Sequence, residues 1–399
     1  MNRENILSIL HRICTPSYVY MEKEIQSNYR ELNDALHNST ILLSLKANSN
    51  PKLLNIPFRD GCKAEVVSIN ELNSAIYGGC ESIDIVYSGP GKSFEECAYA
   101  ISKGVRSFSV ESLSEIDIIG KLAKHSLLSC NLYLRVNPDV SLEIDLQLKE
   151  MMSGVYSHFG FIGEEVSEAL RLSTKWKLNV LGPHFYFGSQ ILDAEVYALI
   201  FPQLIKQATS LFSSFGGIGY VNLGGGFGVP YNAHDKHLNL NRLKEVIAQI
   251  SSINPSLSLV FESGRYIFSS SGIYLVSVID VKYRKGTQIV IVNGSMSQFI
   301  RPVFMQTEHR FEYYQKSTQN MPPNYSKMYH SKIVGRSCTP LDVFVSDCIL
   351  PKCEIGSFIA LFNAGAYGWD MSPHCFLGRG PAKEYLLKED DSIIEISRS

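Results

Sequence analysis

Lys46, which ends the apolar run ILLSLK, is the side chain with the most specific chemistry in this sequence. A lysine at the mouth of a strand-like apolar run is expected to have its ammonium desolvated, and desolvation lowers the pKa of the amine. The neutral amine can then condense with an aldehyde. Because a lysine that ends a strand is more often simply solvated, the chemistry of Lys46 has to be judged together with other segments.

Three segments far from Lys46 contain groups that would hold an aldehyde coenzyme bearing a phosphate. They are LGGGFG at 223–228, FESGR at 261–265 and AGAYG at 364–368. Glycine amides can approach a phosphate closely, arginine adds a planar permanent charge and tyrosine adds a hydroxyl donor. The candidate phosphate ligands are Gly224, Gly225, Gly226, Arg265 and Tyr367. With Lys46 they predict a site for pyridoxal 5'-phosphate, although a glycine run alone usually indicates only a tight turn.

Glu262 and Tyr186 are the candidate residues for contacting the ring of that coenzyme. A carboxylate beside the pyridine nitrogen keeps the nitrogen protonated and makes the ring a strong electron sink, which favours reactions at a substrate α-carbon. Glu262 could instead be an ordinary carboxylate paired with a nearby base. Tyr186, in GPHFYFGSQ, would stack on the ring, whereas the commoner fate of such an aromatic residue is a barrel core. We interpret His184 as a core histidine and leave it outside the catalytic set.

The elements that must position these groups are eight short apolar runs separated by helical stretches. Three connections carry Ser-x-x-Glu helix starts, at Ser68, Ser93 and Ser112, which can satisfy the first amides of a helix. Eight strands alternating with helices predict a (β/α)8 TIM barrel, an α/β fold. A doubly wound sheet shows the same alternation of strands and helices, so the number of strands is what favours the barrel over that fold. The runs are 41–45, 64–68, 83–88, 107–112, 132–137, 179–187, 220–226 and 259–263.

The pattern changes after residue 266. GIYLVSVIDVKYRKGTQIVIVN predicts two strands joined at a Lys-Gly turn, KEYLLKEDDSIIEIS predicts a terminal hairpin, and MQTEHRFEYYQKSTQNMPPNYSKM between them predicts a surface loop. The opening segment TPSYVYM also has strand character and is expected to pair with these strands. We therefore expect a barrel at 22–265 and a C-terminal β-domain at 266–399, to which 1–21 contribute a strand.

Composition and charge argue against several classes of function. The formal net charge is −2, so no basic surface for nucleic acid or an acidic membrane is expected. The nine cysteines are scattered, with no CxxC pair, which argues against a metal site and favours reduced thiols. The first residues lack a signal-peptide pattern, and no apolar run is long enough to span a membrane. We expect a cytoplasmic protein.

Ten motifs, in order, resemble the fold-type III pyridoxal phosphate decarboxylases, which are the ornithine and diaminopimelate decarboxylase family. The resemblance extends over about residues 15–380, nearly the whole chain. It implies an alanine racemase-like combination of a TIM barrel and a β-domain, and a homodimer whose active sites are shared between subunits. The motifs are SLKANSN, GPGK, VES, RVNPD, SHFG, HFYFGSQ, NLGGGFG, ESGR, GRSCTPLD and AGAYG.

The resemblance also implies a role for each candidate. Lys46 would join the coenzyme covalently, and Glu262 would pair with its ring nitrogen. Ser189 is implied near the coenzyme. Cys338 is implied as the acid that reprotonates the substrate α-carbon in the partner subunit. The residues implied to hold the phosphate are Gly224, Gly225, Gly226, Arg265 and Tyr367.

The residue after Cys338 bears on the substrate. Relatives that act on ornithine or diaminopimelate carry an acidic residue there, which meets the distal amino group, but this chain has Thr339. Burying a distal ammonium without that acid would leave a charge unpaired at a large cost, so we infer that the distal amine is masked. Arg301 and Arg336 are candidates for carboxylates on the masking group. Either arginine could equally be a surface residue that favours solubility.

Finer similarity points to a branch of the family. NGSMSQFIRPV, CTPLDV and AGAYGWDMSPHCFL resemble enzymes that decarboxylate citryl-conjugated diamino acids in carboxylate-siderophore biosynthesis. The implied substrate is citryl-diaminopropionate or N-citrylornithine. A branch that acts on glutamyl groups tethered to a carrier protein is the alternative, because it shares CTP and Tyr186 in place of the usual histidine. Diaminopimelate, ornithine or arginine decarboxylase, a racemase and a non-enzymatic paralogue that binds a partner are further alternatives.

Overall fold

The chain forms two compact units. The computed structural model describes residues 6, 9, 10, 12–139, 157–232, 234–316 and 327–398. The barrel unit comprises Gln26–Val229 and Lys236–Ile267, and the β unit comprises Met1–Ile25, Pro230–Asp235 and Phe268–Ser399. The domain limits expected from the sequence, at 1–21, 22–265 and 266–399, stay a prediction.

Eight parallel strands close the barrel in the order of the chain. Their residues are largely buried, which explains why the sequence shows short continuous apolar runs rather than a strict alternation of apolar and polar residues. Each predicted run overlaps with one of these strands, so the predicted (β/α)8 TIM barrel is confirmed. β1 Ser17–Met21 precedes the barrel strands, which are β2 Thr40–Ser44, β3 Lys63–Val66, β4 Ile85–Tyr87, β5 Ser107–Val110, β6 Asn131–Arg135, β7 Asn179–His184, β8 Tyr220–Asn222 and β9 Ser258–Ser263.

Helices alternate with the barrel strands. Ser68, Ser93 and Ser112 each cap a helix, because their side chains accept a hydrogen bond from the backbone amide three residues later. At Ser93 the glutamate completes a reciprocal capping box, whereas Glu115 pairs with the buried Lys92 at 2.9 Å. The helices are α1 Glu22–Ala35, α2 Pro51–Arg59, α3 Ile69–Tyr77, α4 Phe94–Ser102, α5 Leu113–Ser126, α6 Gly163–Lys175, α7 Ala194–Phe212, α8 Leu240–Ile253 and α9 Arg265–Phe268.

A mixed sheet with a short helix, α10 Arg301–Phe304, forms the β unit. Its strands besides β1 are β10 Gly272–Arg284, β11 Thr287–Val292, β12 Phe311–Tyr314, β13 Met328–Val334, β14 Val343–Pro351, β15 Phe358–Leu361, β16 Lys383–Leu387 and β17 Ile393–Glu395. β1 pairs with β10 and β16, so the opening segment joins this sheet as expected. β10 and β11 meet at Lys285 and Gly286, and β16 and β17 form the terminal hairpin.

The segment 305–328, which the sequence predicts to be a surface loop, contains a strand. Phe311–Tyr314 pairs antiparallel with β15, and Tyr313 and Tyr314 are only 7% and 0% exposed. Burial of two tyrosines on the neighbouring strand outweighs the polar composition around them. The rest of the expected loop at 317–326, including Pro322 and Pro323, lies outside the described residues.

The carboxyl ends of the barrel strands gather the candidate residues of the barrel unit. Lys46 comes just after β2, His184 ends β7, Gly224 follows β8 and Glu262 lies near the end of β9. Parallel strands of a closed barrel have their carboxyl ends at one end, where barrel enzymes hold their active sites.

Within the described ranges, no helix is both long and apolar enough to cross a membrane. The same ranges contain no group of three or more histidine, cysteine, aspartate or glutamate side chains that could hold a metal ion.

Candidate active site

Glu262 is a buried carboxylate held by neighbouring side chains. It is 5% exposed, and its Oε1 accepts a hydrogen bond from Asn222 Nδ2 at 2.9 Å. His184 Nε2 lies 3.2 Å from the same oxygen. Burial alone would raise the pKa of Glu262, but His184, Lys46 and Asn222 together lower it below its ordinary value. Glu262 is therefore ionised at neutral pH, the state needed beside a protonated ring nitrogen.

His184 is itself fixed by Ser109. Its Nδ1 lies 2.7 Å from Ser109 Oγ, and the residue is 1% exposed. Because a carboxylate only accepts hydrogen bonds, we assign a hydrogen to Nε2, the nitrogen that faces Glu262. The sequence favours a core histidine at this position, and the residue is buried as expected. It also contacts the central carboxylate of the site.

Asn222 links Glu262 to the glycine run. Its Oδ1 accepts from Gly224 N at 2.9 Å, and Glu262 N donates to Gly224 O at 2.8 Å. A Cβ on Gly225 would lie only 2.1 Å from Glu262 O. Gly224 and Gly226 have φ angles of 69° and 90°, which glycine adopts without strain. The backbone path therefore requires glycine, and the Asn222 side chain fixes the direction of the Gly224 amide.

Arg265 and Ser189, two predicted coenzyme-binding residues, contact each other. Arg265 begins α9 directly after β9, and Ser189 lies in the segment that follows β7. Arg265 Nη2 donates to Ser189 Oγ at 2.9 Å. This hydrogen bond across the strand ends fixes the direction of a permanently charged group.

Lys46 contacts a buried carboxylate. Its Nζ lies 3.6 Å from Glu65 Oε2, and the side chains of Lys46 and Glu65 are 44% and 3% exposed. The expectation that the Lys46 ammonium is desolvated is therefore wrong, because solvent reaches it and a carboxylate stabilises its charge. Glu65 is not among the residues predicted from the sequence. Its position near the end of β3, the strand beside β2, is the signal that could have identified it.

Tyr186 is half-buried and lies near the guanidinium of Arg135, which is not among the predicted site residues. The guanidinium carbon of Arg135 is 5.8 Å from the centroid of the Tyr186 ring and 4.6 Å from that of Phe159. Glu111 pairs with Arg135 at 3.3 Å. The ring of Tyr186 therefore has a fixed cation near it, which a purely apolar core would not provide.

Cys338 is an exposed thiol on an ordered loop of the β unit. Asp342 is 2% exposed, and its two oxygens accept backbone amides at 2.7 and 2.8 Å, the second of them within the loop. Thr339 and Arg336, on either side of the thiol in sequence, are half-buried. The loop thus presents Cys338 to solvent on a fixed backbone.

Arg301 and Tyr367 are neighbours in the β unit. Arg301 is 3% exposed, so the alternative of a surface residue is wrong for it. Its guanidinium carbon lies 4.3 Å from the centroid of the Tyr231 ring and 6.0 Å from that of Tyr367. Burial, together with the charge of Arg301, lowers the pKa of the adjacent His309 to about 3, so this imidazole is neutral. Arg301 therefore retains a buried positive charge among aromatic rings.

Comparison with known proteins decides the family. The profile of the family described as "Pyridoxal-dependent decarboxylase, pyridoxal binding domain" matches residues 22–269, more than half of the chain. The chain belongs to this family. The protein is therefore an enzyme, a pyridoxal phosphate-dependent amino acid decarboxylase, and the racemase and non-enzymatic alternatives do not hold.

Members of this decarboxylase family with different substrates are similar to the chain. The L-glutamyl-[BtrI acyl-carrier protein] decarboxylase of Niallia circulans is 30% identical over 100% of this chain and 94% of that protein. The 2-[(L-alanin-3-ylcarbamoyl)methyl]-2-hydroxybutanedioate decarboxylase of Staphylococcus aureus is 28% identical over 97% of this chain and 98% of that protein. The structure of diaminopimelate decarboxylase from Helicobacter pylori complexed with L-lysine is 28% identical, with a TM-score of 0.87 over 98% of this chain and 96% of that one.

Pyridoxal phosphate fits the residues that the barrel unit brings together. A phosphate requires a backbone that can approach it closely, which the glycine run offers because it has no side chains, and a protonated ring nitrogen requires an ionised carboxylate, which Glu262 offers. When bound, the coenzyme supplies an electron sink for cleavage of the bond to the α-carboxylate. The residues that would hold it, all as predictions, are Lys46, Tyr186, Ser189, Gly224, Gly225, Gly226, Glu262, Arg265 and Tyr367.

Proposed function

We propose that this decarboxylase acts on an amino acid whose distal amine is masked, and that the masking group is citryl. Citryl-diaminopropionate and N-citrylornithine are the two candidate substrates. The observation that carries the proposal is Thr339 directly after Cys338, the position at which the family resemblance implies an acid in enzymes for free diamino acids. A neutral residue there favours a substrate without a distal charge, because a buried ammonium without a partner is strongly unfavourable.

Asp342 does not replace the missing acid. It is the first carboxylate after Cys338 in the sequence, but it is 2% exposed and both of its oxygens already accept backbone amides. Withdrawing it toward a substrate amine would leave those amides unsatisfied, at about 1–3 kcal/mol for each. The loop therefore has no carboxylate to offer a distal ammonium.

A relative of similar length supports the citryl substrate. The name of the Staphylococcus aureus protein describes an alanyl group joined through an amide to a hydroxybutanedioate, in which the distal nitrogen carries no charge. Identity alone does not separate this relative from a diaminopimelate decarboxylase of Pseudomonas aeruginosa, at 28% and 31%. The choice therefore depends on Thr339.

In the proposed reaction the residues of this chain bind the coenzyme, orient the substrate and protonate its α-carbon. Lys46 would hold the coenzyme covalently before the substrate amine takes its place, and would do so again when the product amine leaves. Glu262 stays ionised, so that the ring nitrogen stays protonated. Cys338 donates a proton to the substrate α-carbon after CO2 has left. Because Cys338 is exposed on an ordered loop, we propose that it acts in the partner subunit of a homodimer with shared active sites.

A glutamyl group carried by a protein is the second candidate substrate. It also lacks a free distal ammonium, so Thr339 suits it equally. Tyr186 in place of the usual histidine favours it, as does the Niallia circulans relative, whose name specifies an acyl-carrier protein.

Release of CO2 from a panel of substrates tests the proposal. The panel contains citryl-diaminopropionate, N-citrylornithine, free ornithine, free diaminopimelate and a glutamyl carrier protein. We expect turnover of a citryl conjugate, and we expect Thr339→Asp to weaken that activity and to improve the activity on a free diamine, while Thr339→Val keeps the original preference. Preference of the unaltered enzyme for a free diamine would refute the masked-amine proposal, and preference for the carrier protein would select the second candidate.

A further inference from the structure

Arg379 and Arg336 lie together beside the loop of Cys338. Arg379 Nη2 donates a hydrogen bond to the backbone carbonyl of Arg336 at 3.3 Å. Arg379 is exposed and Arg336 is half-buried. Within the ranges that the structure describes, neither guanidinium forms an ion pair with a carboxylate. Two positive charges are therefore adjacent without an acidic partner.

Asp342 does not neutralise this pair. A Cβ on Gly335 would lie 2.3 Å from Asp342 Oδ1, so the carboxylate is packed against the backbone just before Arg336. Its oxygens accept hydrogen bonds from the amides of Met296 and Ser337. Asp342 therefore orders the loop and leaves the arginines for another anion.

Two polar atoms of the same loop are buried and lack a hydrogen-bond partner among the described residues. They are Arg336 Nε and Ser337 Oγ. A buried donor without a partner costs free energy that a bound acceptor recovers. Burial, and then the neighbouring charge of Arg379, lower the pKa of Arg336, so the two charges repel each other. An anion beside them would relieve both the repulsion and the missing hydrogen bonds.

We propose that Arg336, Ser337 and Arg379 form a subsite for the polycarboxylate end of the substrate. Guanidinium groups bind carboxylates through paired parallel hydrogen bonds, and two of them match a group with two or more carboxylates. The subsite rests on the proposed function, because it recognises the citryl part of that substrate. Arg379, in LGRGPAK, lies outside the residues that the sequence motifs single out.

The binding of citrate to the coenzyme-loaded protein tests the subsite. Isothermal titration calorimetry measures the dissociation constant of citrate. Arg336→Gln and Arg379→Gln should each raise this constant by about tenfold or more, because each variant loses a charged donor. Arg379→Lys keeps the positive charge but not the planar guanidinium, so its affinity for citrate should lie between those of the unaltered protein and Arg379→Gln. Arg284→Gln is the matched control, since Arg284 is also exposed and donates to a backbone carbonyl, at 3.5 Å.

Steady-state kinetics with citryl-diaminopropionate add a second measurement. Arg379→Gln should raise KM for this conjugate and leave kcat nearly unchanged, because the subsite binds a part of the substrate remote from the reacting carbon. A general loss of structure would lower kcat as well and would lower the thermal midpoint.

The outcomes separate the subsite from the proposed function. Equal citrate affinity in Arg379→Gln and the unaltered enzyme would overturn the subsite, and so would an equal loss in Arg284→Gln, since the effect would then be general surface charge. If a citryl conjugate is turned over with the same KM in Arg379→Gln, the subsite is wrong and the proposed function stands. If citrate binding requires Arg379 but no citryl conjugate releases CO2, the subsite stands and the proposed substrate is wrong. If the arginine pair instead binds an acidic protein, the unaltered enzyme should not bind citrate. That result would also overturn the subsite.

Discussion

His184 Nε2 lies 3.2 Å from Glu262 Oε1, and both residues are almost completely buried. One ends β7 and the other lies near the end of β9, so β8, with its glycine run, is the strand between them. A buried carboxylate would normally take up a proton, and His184 is the neighbour that most strongly prevents this. The imidazole therefore maintains the charge on which the coenzyme ring nitrogen depends.

Replacing His184 by leucine should raise the pKa of Glu262, because burial remains while the strongest opposing influence is gone. The carboxyl has an ordinary pKa of 4.5 and a lower one in the fold, so Glu262 contributes stability above pH 4.5 and loses it as pH falls through the folded-state value. In His184→Leu this contribution shrinks, and the free energy of unfolding at pH 7 should fall by about 1–3 kcal/mol. Urea unfolding of the coenzyme-free protein measures it.

The same substitution should move the acid limit of coenzyme binding to higher pH. Equilibrium dialysis between pH 5 and 8 measures the dissociation constant directly, without relying on activity. His184→Gln keeps a donor toward Glu262 but not the imidazole, so its acid limit should lie between those of the leucine variant and the unaltered protein. Identical pH profiles for the leucine and glutamine variants would show that His184 does not control the carboxylate.

Gly225→Ala should weaken coenzyme binding and destabilise the fold by about 1–3 kcal/mol, because its Cβ would collide with the Glu262 carbonyl and push β8 and β9 apart. Gly219→Ala is the control, since a Cβ there meets nothing within 4 Å. Thermal unfolding and coenzyme titration of both variants measure the difference. Full coenzyme affinity in Gly225→Ala would exclude the glycine run from the phosphate site.

Lys46→Ala should abolish the borohydride-reducible attachment of the coenzyme and all turnover. Mass spectrometry after reduction detects the attachment. Lys63→Ala is a matched control, because Lys63 is also 44% exposed and pairs with a carboxylate, Asp84, at 2.7 Å. A covalent adduct that persists in Lys46→Ala would place the attachment on another lysine.

Cys338→Ala should slow turnover or divert it toward transamination, because the substrate α-carbon then lacks its proton donor. The ratio of CO2 to amine product, measured together with the rate, detects either change. Cys375→Ala removes another exposed thiol of the β unit and should change neither quantity. If Cys338→Ala retained the normal rate and product, the proton would have to come from a different group.

Most of the barrel could be predicted from the sequence. Strands buried on both faces must be apolar throughout, so each of the eight shows as a short apolar run, and serine caps mark helix starts between them. The strand Phe311–Tyr314 was missed because its two buried tyrosines lie within a polar segment. Its burial depends on β15, which follows more than forty residues later.

The sequence by itself determined the family, the coenzyme and the order of the barrel strands, because motif residues and apolar runs are properties of local segments. Only the tertiary structure decided which groups meet. Lys46 contacts Glu65 and remains partly exposed, His184 contacts Glu262, and Arg379 contacts the backbone of Arg336 across 43 positions of the chain. Burial and charge at a site depend on contacts between strands and loops that are distant in sequence, and local periodicity contains no record of those contacts.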